Sequence, residues 1–236
     1  MRLIKLTLMQ QTLSKNQLAD IIQWDIKNWS KCLAFWNKHA DFNPKQKVLA
    51  LGEREGGMSL YFALKGHEVI CSDYNPMPDT TKVMHAENGV GDKITYQKID
   101  VKEIDLADES VNVVVFKSVI GALGNKPDQE NALKEIFRVL KPDGYFLFAE
   151  NLEGSKLHQY LRKKFVGWGE RWQYITNSDM VNWNAPYKSI ITKPIGVLGL
   201  FGRSEKQRKF LAGFDRVLSP ITPKKWRYIL FGVLKK

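Results

Sequence analysis

The chain has 236 residues, 44% hydrophobic and 26% charged, enough apolar material to bury a large core and to exclude a disordered chain. No run of roughly 18 uncharged apolar residues occurs, which excludes a membrane-spanning helix, and Cys32 and Cys71 stand outside any CxxC spacing, which excludes a disulfide framework and a cysteine zinc site. The net charge of +11 is uneven: residues 1–153 hold 19 Lys and Arg against 21 Asp and Glu, and residues 154–236 hold 17 against 4, so a near-neutral body precedes a basic third suited to anionic partners.

The opening MRLIKLTLMQ is broken by Lys5 and followed by no small-residue cleavage site, so it does not read as a signal peptide. With both cysteines read as buried thiols, the expected setting is a reducing cytoplasm. Residues 1–46 read as a helical extension. Within it, Asp25 to His39 sets Ile26, Trp29, Leu33 and Trp36 at helical spacing, a stripe expected in the core. Phe42 to Lys47, with Pro44, reads as the turn that ends it.

From residue 47 the pattern changes to short apolar runs alternating with amphipathic stretches. Val48–Leu51, Glu68–Ser72, Ile94–Ile99, Val111–Phe116 and Tyr145–Ala149 read as strands. Ser59–Leu64, Lys82–Asn88 and Gln129–Leu140 read as helices, the last stopped by Pro142, Asp143 and Gly144. Continuous apolar strands between helices predict a doubly wound, Rossmann-like parallel sheet over residues 47–153. The basic region 154–236 is less regular. Lys156–Phe165 and Glu205–Leu218 read as helices, Ser178–Asn182 as one helical turn, and Ile190–Val197 and Trp226–Leu234 as strands.

The chemistry concentrates in VLALGEREGG, residues 48–57, between the first strand and first helix. In an open α/β sheet, ligands bind beyond the carboxyl ends of the strands. Glycines admit a ligand close to the backbone, and a helix N-terminus offers free N–H groups. Asp73 follows about 20 residues after Gly52, at the end of the second strand, where a carboxylate accepts both hydroxyls of a ribose. A dinucleotide would need a second glycine where Arg54 stands. Glu53 and Glu55 oppose a dianion and suit a cation, which favours S-adenosylmethionine, a sulfonium without phosphate.

In these residues the chain resembles class I S-adenosylmethionine-dependent methyltransferases. LGEREGG, with Gly52, Glu53, Arg54 and Gly56, resembles the glycine-rich first motif. Asp73 matches the ribose-binding acid. Asp100, in KIDV, matches the adenine position, with Val101 beside it. VNVVVFKSVIGAL resembles the fourth-strand motif and sets Lys117 and Ser118 at the pocket mouth, and EIFRVLKPDGYFLFAE resembles the helix-turn-strand that follows. The resemblance implies a seven-stranded sheet ending in an antiparallel hairpin, with S-adenosylmethionine as cofactor. The chain ends, WDIKNWSKCLAFW and IGVLGLFGRSEKQRKFL with PKKWRYILFGVLKK, are similar to methyltransferases of bacterial surface-polysaccharide biosynthesis. Two positions depart from the pattern. Ala50 stands where an acid is usual, leaving Glu53 or Glu55 to replace it. Arg54 replaces the second glycine and either pairs with the cofactor's carboxylate or points to solvent.

No Asn/Asp-Pro-Pro-Tyr segment, which in the family marks amino-group methylation, follows the fourth strand. Methylation of oxygen on a small molecule or glycan precursor is the expectation, and it calls for a general base. The candidates are Glu150, at the end of the fifth strand, and His158, in the next helix. Arg162, Lys163 and Lys164, and Arg203, Lys206, Arg208 and Lys209, would face an anionic acceptor such as a sugar nucleotide or lipid-linked glycan, with peripheral membrane association in the latter case. Trp168, Trp172, Trp183 and Trp226 interleave with these charges and suit stacking on sugars or bases. The competing readings are an RNA methyltransferase, disfavoured without an RNA-binding appendage, and a methyltransferase-like binding module without catalysis. A nicotinamide-dependent dehydrogenase is disfavoured by Arg54 and the two glutamates. No clustered metal-ligand spacing appears.

Overall fold

A computed structural model describes residues 13–42, 45–165, 167, 172–176, 178, 179, 183 and 186–236. Residues 1–12, Pro44, Trp168 and Asn182 lie outside the described residues. Among the described residues three helices come first: α1 (Lys15–Ile22), α2 (Ile26–Trp29) and α3 (Lys31–His39). The alternating core follows as β1 (Lys47–Leu51), α4 (Gly57–Leu64), β2 (Glu68–Asp73), α5 (Asp79–Glu87), β3 (Ile94–Lys98), β4 (Val111–Lys117), α6 (Lys126–Val139) and β5 (Leu140–Asn151). The basic third adds α7 (Lys156–Phe165), β6 (Ser189–Ile195), α8 (Glu205–Ile221) and β7 (Ile229–Lys235).

All seven strands form one sheet in the order β3-β2-β1-β4-β5-β7-β6. The first five pair in parallel, and β7 runs antiparallel between β5 and β6. The strand order reverses between β1 and β4, the switch point at which such sheets bind ligands. The sheet is the doubly wound architecture with an antiparallel final hairpin that the sequence implies. The last region does more than cap it, because β6 and β7 complete the sheet.

Strand residues alternate between two cores. Val48, Ala50, Val113, Val115, Leu147 and Ala149 face one side, where Ile21, Trp29, Trp36 and Phe62 of the N-terminal helices and α4 cover them. Leu49, Leu51, Val114, Phe116, Phe146 and Phe148 face the other, under Ile136 and Val139 of α6. Period-two projection thus gives both faces an apolar layer, and burying it drives the assembly. Trp29, Leu33 and Trp36 are buried as expected of a core stripe, and Ile26 packs against them half-buried.

Several boundaries differ from the sequence reading for local reasons. The helix expected from Asp25 is two pieces, α2 and α3, joined at Ser30 and preceded by Asp25 in the left-handed region, φ 43°. α6 begins earlier than expected because the Asn125 side chain accepts the Asp128 N–H (2.9 Å) and Pro127 sits in its first turn. The Pro142-Asp143-Gly144 stop is a bulged entry into β5, with Asp143 at φ 62° and the register slipping between Val111 and Val113. The last strand starts three residues late because Lys224–Trp226 form a 3-10 turn.

A buried polar cluster joins the N-terminal helices to the basic third. Tyr228 O–H donates to Asp25 Oδ2 and accepts from Asn28 Nδ2 (2.8 Å), which also donates to Asp215 Oδ2 (2.9 Å). Asp215 Oδ1 accepts the Leu198 N–H at 2.7 Å. Glu205 caps α2 by accepting the N–H groups of Asp25 (2.9 Å) and Ile26 (2.8 Å). Burial, reinforced by Glu205 and Asp215 and opposed by the Tyr228 bond and Arg208, pushes the Asp25 carboxyl up to about 7. The fold therefore prefers this group protonated. Its stabilising contribution is complete below the unfolded value near 4 and is lost as pH rises through about 7. Relative to Asp25→Asn, the wild-type chain should lose at least about 1 kcal/mol of stability between pH 5 and 8 in urea titrations, since a tenfold difference in proton affinity between the folded and unfolded chain is worth about 1.4 kcal/mol; parallel pH dependences in the two proteins would refute the assignment.

Candidate active site

At the carboxyl ends of β1, β2 and β4 the chain opens a cavity of about 1610 Å³. Its walls come from the loop after β1, the ends of β2, β3 and β4, the α1–α2 junction, the end of α7 and the turn before α8. The loop after β1 turns through three left-handed residues, Gly52 (φ 60°), Arg54 (φ 47°) and Gly56 (φ 75°). Gly52 is required twice over, because a Cβ there would stand 2.5 Å from Val119 Cγ2. At Gly56 a Cβ would meet Thr81 and the His85 ring within 2.7 Å, so this glycine serves packing against α5 and does not line the cavity. Gly57 and Met58 line it instead.

Arg54 keeps the left-handed conformation that a glycine adopts freely, at the strain an L-residue bears there. Its N–H donates to Asp73 Oδ2 at 3.0 Å, and its exposed side chain stands at the cavity rim. Asp73 Oδ1 accepts the Asn75 N–H at 2.9 Å. Each carboxylate oxygen thus accepts one backbone N–H and keeps further accepting capacity, and Asp73 lines the cavity, so it supplies the acceptors a ribose diol needs. Asp100 and Val101 line the next stretch with Ile99. Asp100 Oδ1 accepts the Lys102 N–H at 2.9 Å, which fixes the carboxylate's direction.

Ala50 is fully buried in β1, where a charge would have no partner, and its carbonyl accepts the Ser72 hydroxyl at 2.8 Å. Glu53 takes the vacant electrostatic place. Its carboxylate accepts the Ser59 N–H at 2.7 Å and so caps α4, whose N-cap Gly56 has no side chain to do so. Burial pushes its carboxyl up to about 7, against the bonds from Ser59 and the charge of Lys117. Lys117, the last residue of β4, lines the cavity with Nζ 5.4 Å from the centre of the Trp29 ring. Burial lowers its pKa from the ordinary lysine value, opposed by Cys32, Glu53 and Glu150. Ser118 follows at φ 63°, its hydroxyl accepting from Asn151 Nδ2.

The two expected general bases stand elsewhere. Glu150 is wholly buried and lines no part of the cavity. Its Oε2 accepts the N–H groups of Val119 (2.8 Å) and Ile120 (2.9 Å), which holds the loop after β4. His158 is buried, donating from Nε2 to the Val197 carbonyl (2.7 Å) and accepting from Ser155 at Nδ1 (2.6 Å). Phe201 and Tyr228 stack on either side of its ring. Burial lowers its pKa, so it is a neutral structural link between α7 and the segment after β6. Neither group lines the cavity.

Aromatic and basic side chains also line the cavity: Trp24, Phe165, Trp172, Arg203 and Arg208. The Arg203 guanidinium lies 4.7 Å over the Phe165 ring, and that of Arg208 5.9 Å over Trp24. Arg162 also borders the cavity, but its guanidinium is turned inward onto the carbonyls of Leu152 (2.6 Å) and Glu153 (3.1 Å) and lies over Tyr174. Trp183 is buried against Phe148, not placed for a sugar. Ile21, near the end of α1, and Trp24, in the α1–α2 junction, went unmarked in the sequence because only the tertiary structure reveals how the N-terminal helices fold over the strand ends. Tyr74 and Asn75 line the cavity and also went unmarked, although their place directly after Asp73 was the signal for them.

Residues 49–148 match the family description "Methyltransferase domain". The ubiquinone/menaquinone biosynthesis C-methyltransferase UbiE of Vibrio campbellii is 29% identical over 111 residues, 45% of this chain and 42% of that protein. The sterol 24-C-methyltransferase of Yarrowia lipolytica is 34% identical over 105 residues, 44% of this chain and 27% of that protein. The matched part thus spans less than half the length of these curated relatives. Among solved structures, a Haloferax volcanii methyltransferase in complex with a methyltransferase activator superposes with a TM-score of 0.65 at 16% identity, covering 94% of each chain. A Haemonchus contortus phosphoethanolamine N-methyltransferase bound to S-adenosylmethionine superposes with a TM-score of 0.62 at 16% identity, covering 97% of this chain and 59% of that one. At such identities the structures establish the shared fold. The motifs stand in order at the switch point of the sheet, and residues 49–148, which carry them, match the methyltransferase domain.

Proposed function

We propose that this chain is an S-adenosylmethionine-dependent methyltransferase that methylates an oxygen of a small molecule or glycan precursor bearing an anionic group. The observation that carries the reading is one large cavity whose lining combines carboxylates with arginines and aromatic rings. At about 1610 Å³ it exceeds the roughly 300–1,000 Å³ of a pocket for one ligand. Asp73, Asp100, Ile99 and Val101 line it together with Arg203, Arg208 and the rings of Trp24, Phe165 and Trp172.

When bound, the cofactor supplies a methyl group on a sulfonium. Asp73 would hold the ribose hydroxyls, and Ile99, Asp100 and Val101 would hold the base. Arg203 and Arg208 hold the acceptor's anionic group, for which a guanidinium fork is suited. Ile21 and Trp24 of the N-terminal helices exclude water from between them. Lys117 lines the same cavity at the carboxyl end of β4. Its buried amine, easier to deprotonate than an ordinary lysine, takes the acceptor's proton at Nζ.

Calorimetric titration with S-adenosylhomocysteine tests the cofactor site. Binding is expected, and Asp73→Ala should weaken it about tenfold to a hundredfold, the worth of hydrogen bonds to a charged acceptor. A folded wild-type chain that does not bind would leave the binding-module reading in its place.

With a sugar nucleotide or other anionic acceptor that turns over, Lys117→Met should lower kcat at least a hundredfold while leaving S-adenosylhomocysteine affinity within a few-fold. The wild-type rate should rise with pH as the lysine loses its proton, and the variant should lose that limb. Arg203→Ala should raise KM for the acceptor with little change in kcat; equal KM values would remove Arg203 from the acceptor's contacts.

A further inference from the structure

The outward face of α8 carries Phe210, Phe214, Val217 and Ile221, exposed by 67%, 47%, 70% and 76%. Their spacing of four, three and four residues makes one continuous stripe along the helix. The inward face, with Ala212 and Asp215 buried, holds the helix to the body. A monomer in water gains nothing from exposing four large apolar side chains in a row, and such a patch marks an interaction surface.

The charge around the stripe has one sign. Lys206 and Lys209 flank it on α8, and Lys224, Lys225 and the part-exposed Trp226 follow in the next turn. Residues 199–236 contain two acidic residues, Glu205 and Asp215, and both are turned to internal bonds: Glu205 caps α2, and Asp215 binds Asn28 and the Leu198 N–H. An amphipathic helix with aromatic and aliphatic residues on one face and lysines at its margins is built to lie in the headgroup layer of an anionic bilayer. Neither a second copy of this face nor residues 1–12, which carry Arg2 and Lys5 and no carboxylate, offers it the opposite charge.

The helix also sits at the cavity. Arg208, on the inner side of the first turn of α8, lines the cavity, as do Gly202 and Arg203 just before it, while Phe210 points outward. We propose that α8 docks the protein on an anionic membrane surface and so presents the basic, aromatic lining of the cavity to an acceptor whose anionic headgroup lies in that surface. The acceptor part of this inference rests on the methyltransferase reading above, whereas the docking does not.

Flotation with phosphatidylcholine vesicles, with and without phosphatidylglycerol, tests it. The full chain should float with the mixed vesicles, float poorly with phosphatidylcholine alone, and dissociate as salt is raised. Val217→Glu with Ile221→Glu should abolish flotation while circular dichroism and S-adenosylhomocysteine affinity stay at wild-type values, which separates docking from the cofactor reading. Lys206→Ala and Lys209→Ala should each reduce partition about fivefold, corresponding to about 1 kcal/mol per basic residue. Absence of wild-type flotation, flotation unchanged in the Glu variants, or a dimer in light scattering that the Glu variants dissociate would overturn the proposal, the last by assigning the stripe to a protein interface.

Discussion

Backbone N–H groups at the carboxyl ends of parallel strands have no ladder partner, and in this protein carboxylates supply one. Asp73 takes the N–H of Arg54, Glu53 that of Ser59, and Glu150 those of Val119 and Ile120. Buried donors left unpaired cost about 1–3 kcal/mol each. These bonds fix the loops after β1 and β4 at the switch point, where the cavity opens. The requirement divides the acids by role. Glu150 spends Oε2 on the loop it supports, whereas Asp73, at the edge of the opening, retains accepting capacity toward the cavity.

The same constraint accounts for the departures from the family's first motif. An acid at position 50 would lie in the sheet interior between β2 and β4, and the chain places its carboxylate three residues later at the start of α4. Arg54 bears a left-handed backbone that glycine usually relieves, and the Asp73 bond to its N–H helps to hold it. The turn's geometry therefore survives without the second glycine.

The basic third combines three tasks. Its strands complete the sheet, its buried Tyr228 and Asp215 fasten the N-terminal helices through Asp25 and Asn28, and its arginines line the cavity. Coupling the first forty residues to the last forty through polar bonds fixes Ile21 and Trp24 over the site. Hydrophobic packing by itself orients less strictly than hydrogen bonds, which demand direction. The basic third thus shapes the enclosure as well as the electrostatics.

Much of this was legible in the chain itself. Alternating apolar runs specified the five parallel strands, because period-two burial on two faces leaves few other solutions. Gly52, Asp73, Asp100 and Lys117 were legible as cavity residues, because the ends of strands at a switch point are placed by connectivity alone. The sequence could not tell which way a side chain turns once its element is set. Glu150 and His158 stood at plausible positions, and only the tertiary structure showed their polar atoms consumed by the main chain around them. Arg162 likewise turned inward, and Trp183 joined the core. Trp24 reached the cavity because the N-terminal helices fold back over the strand ends, a long-range packing that no local pattern encodes. Local periodicity fixes elements and their faces, whereas the choice between a buried partner and an open cavity depends on atoms distant in sequence.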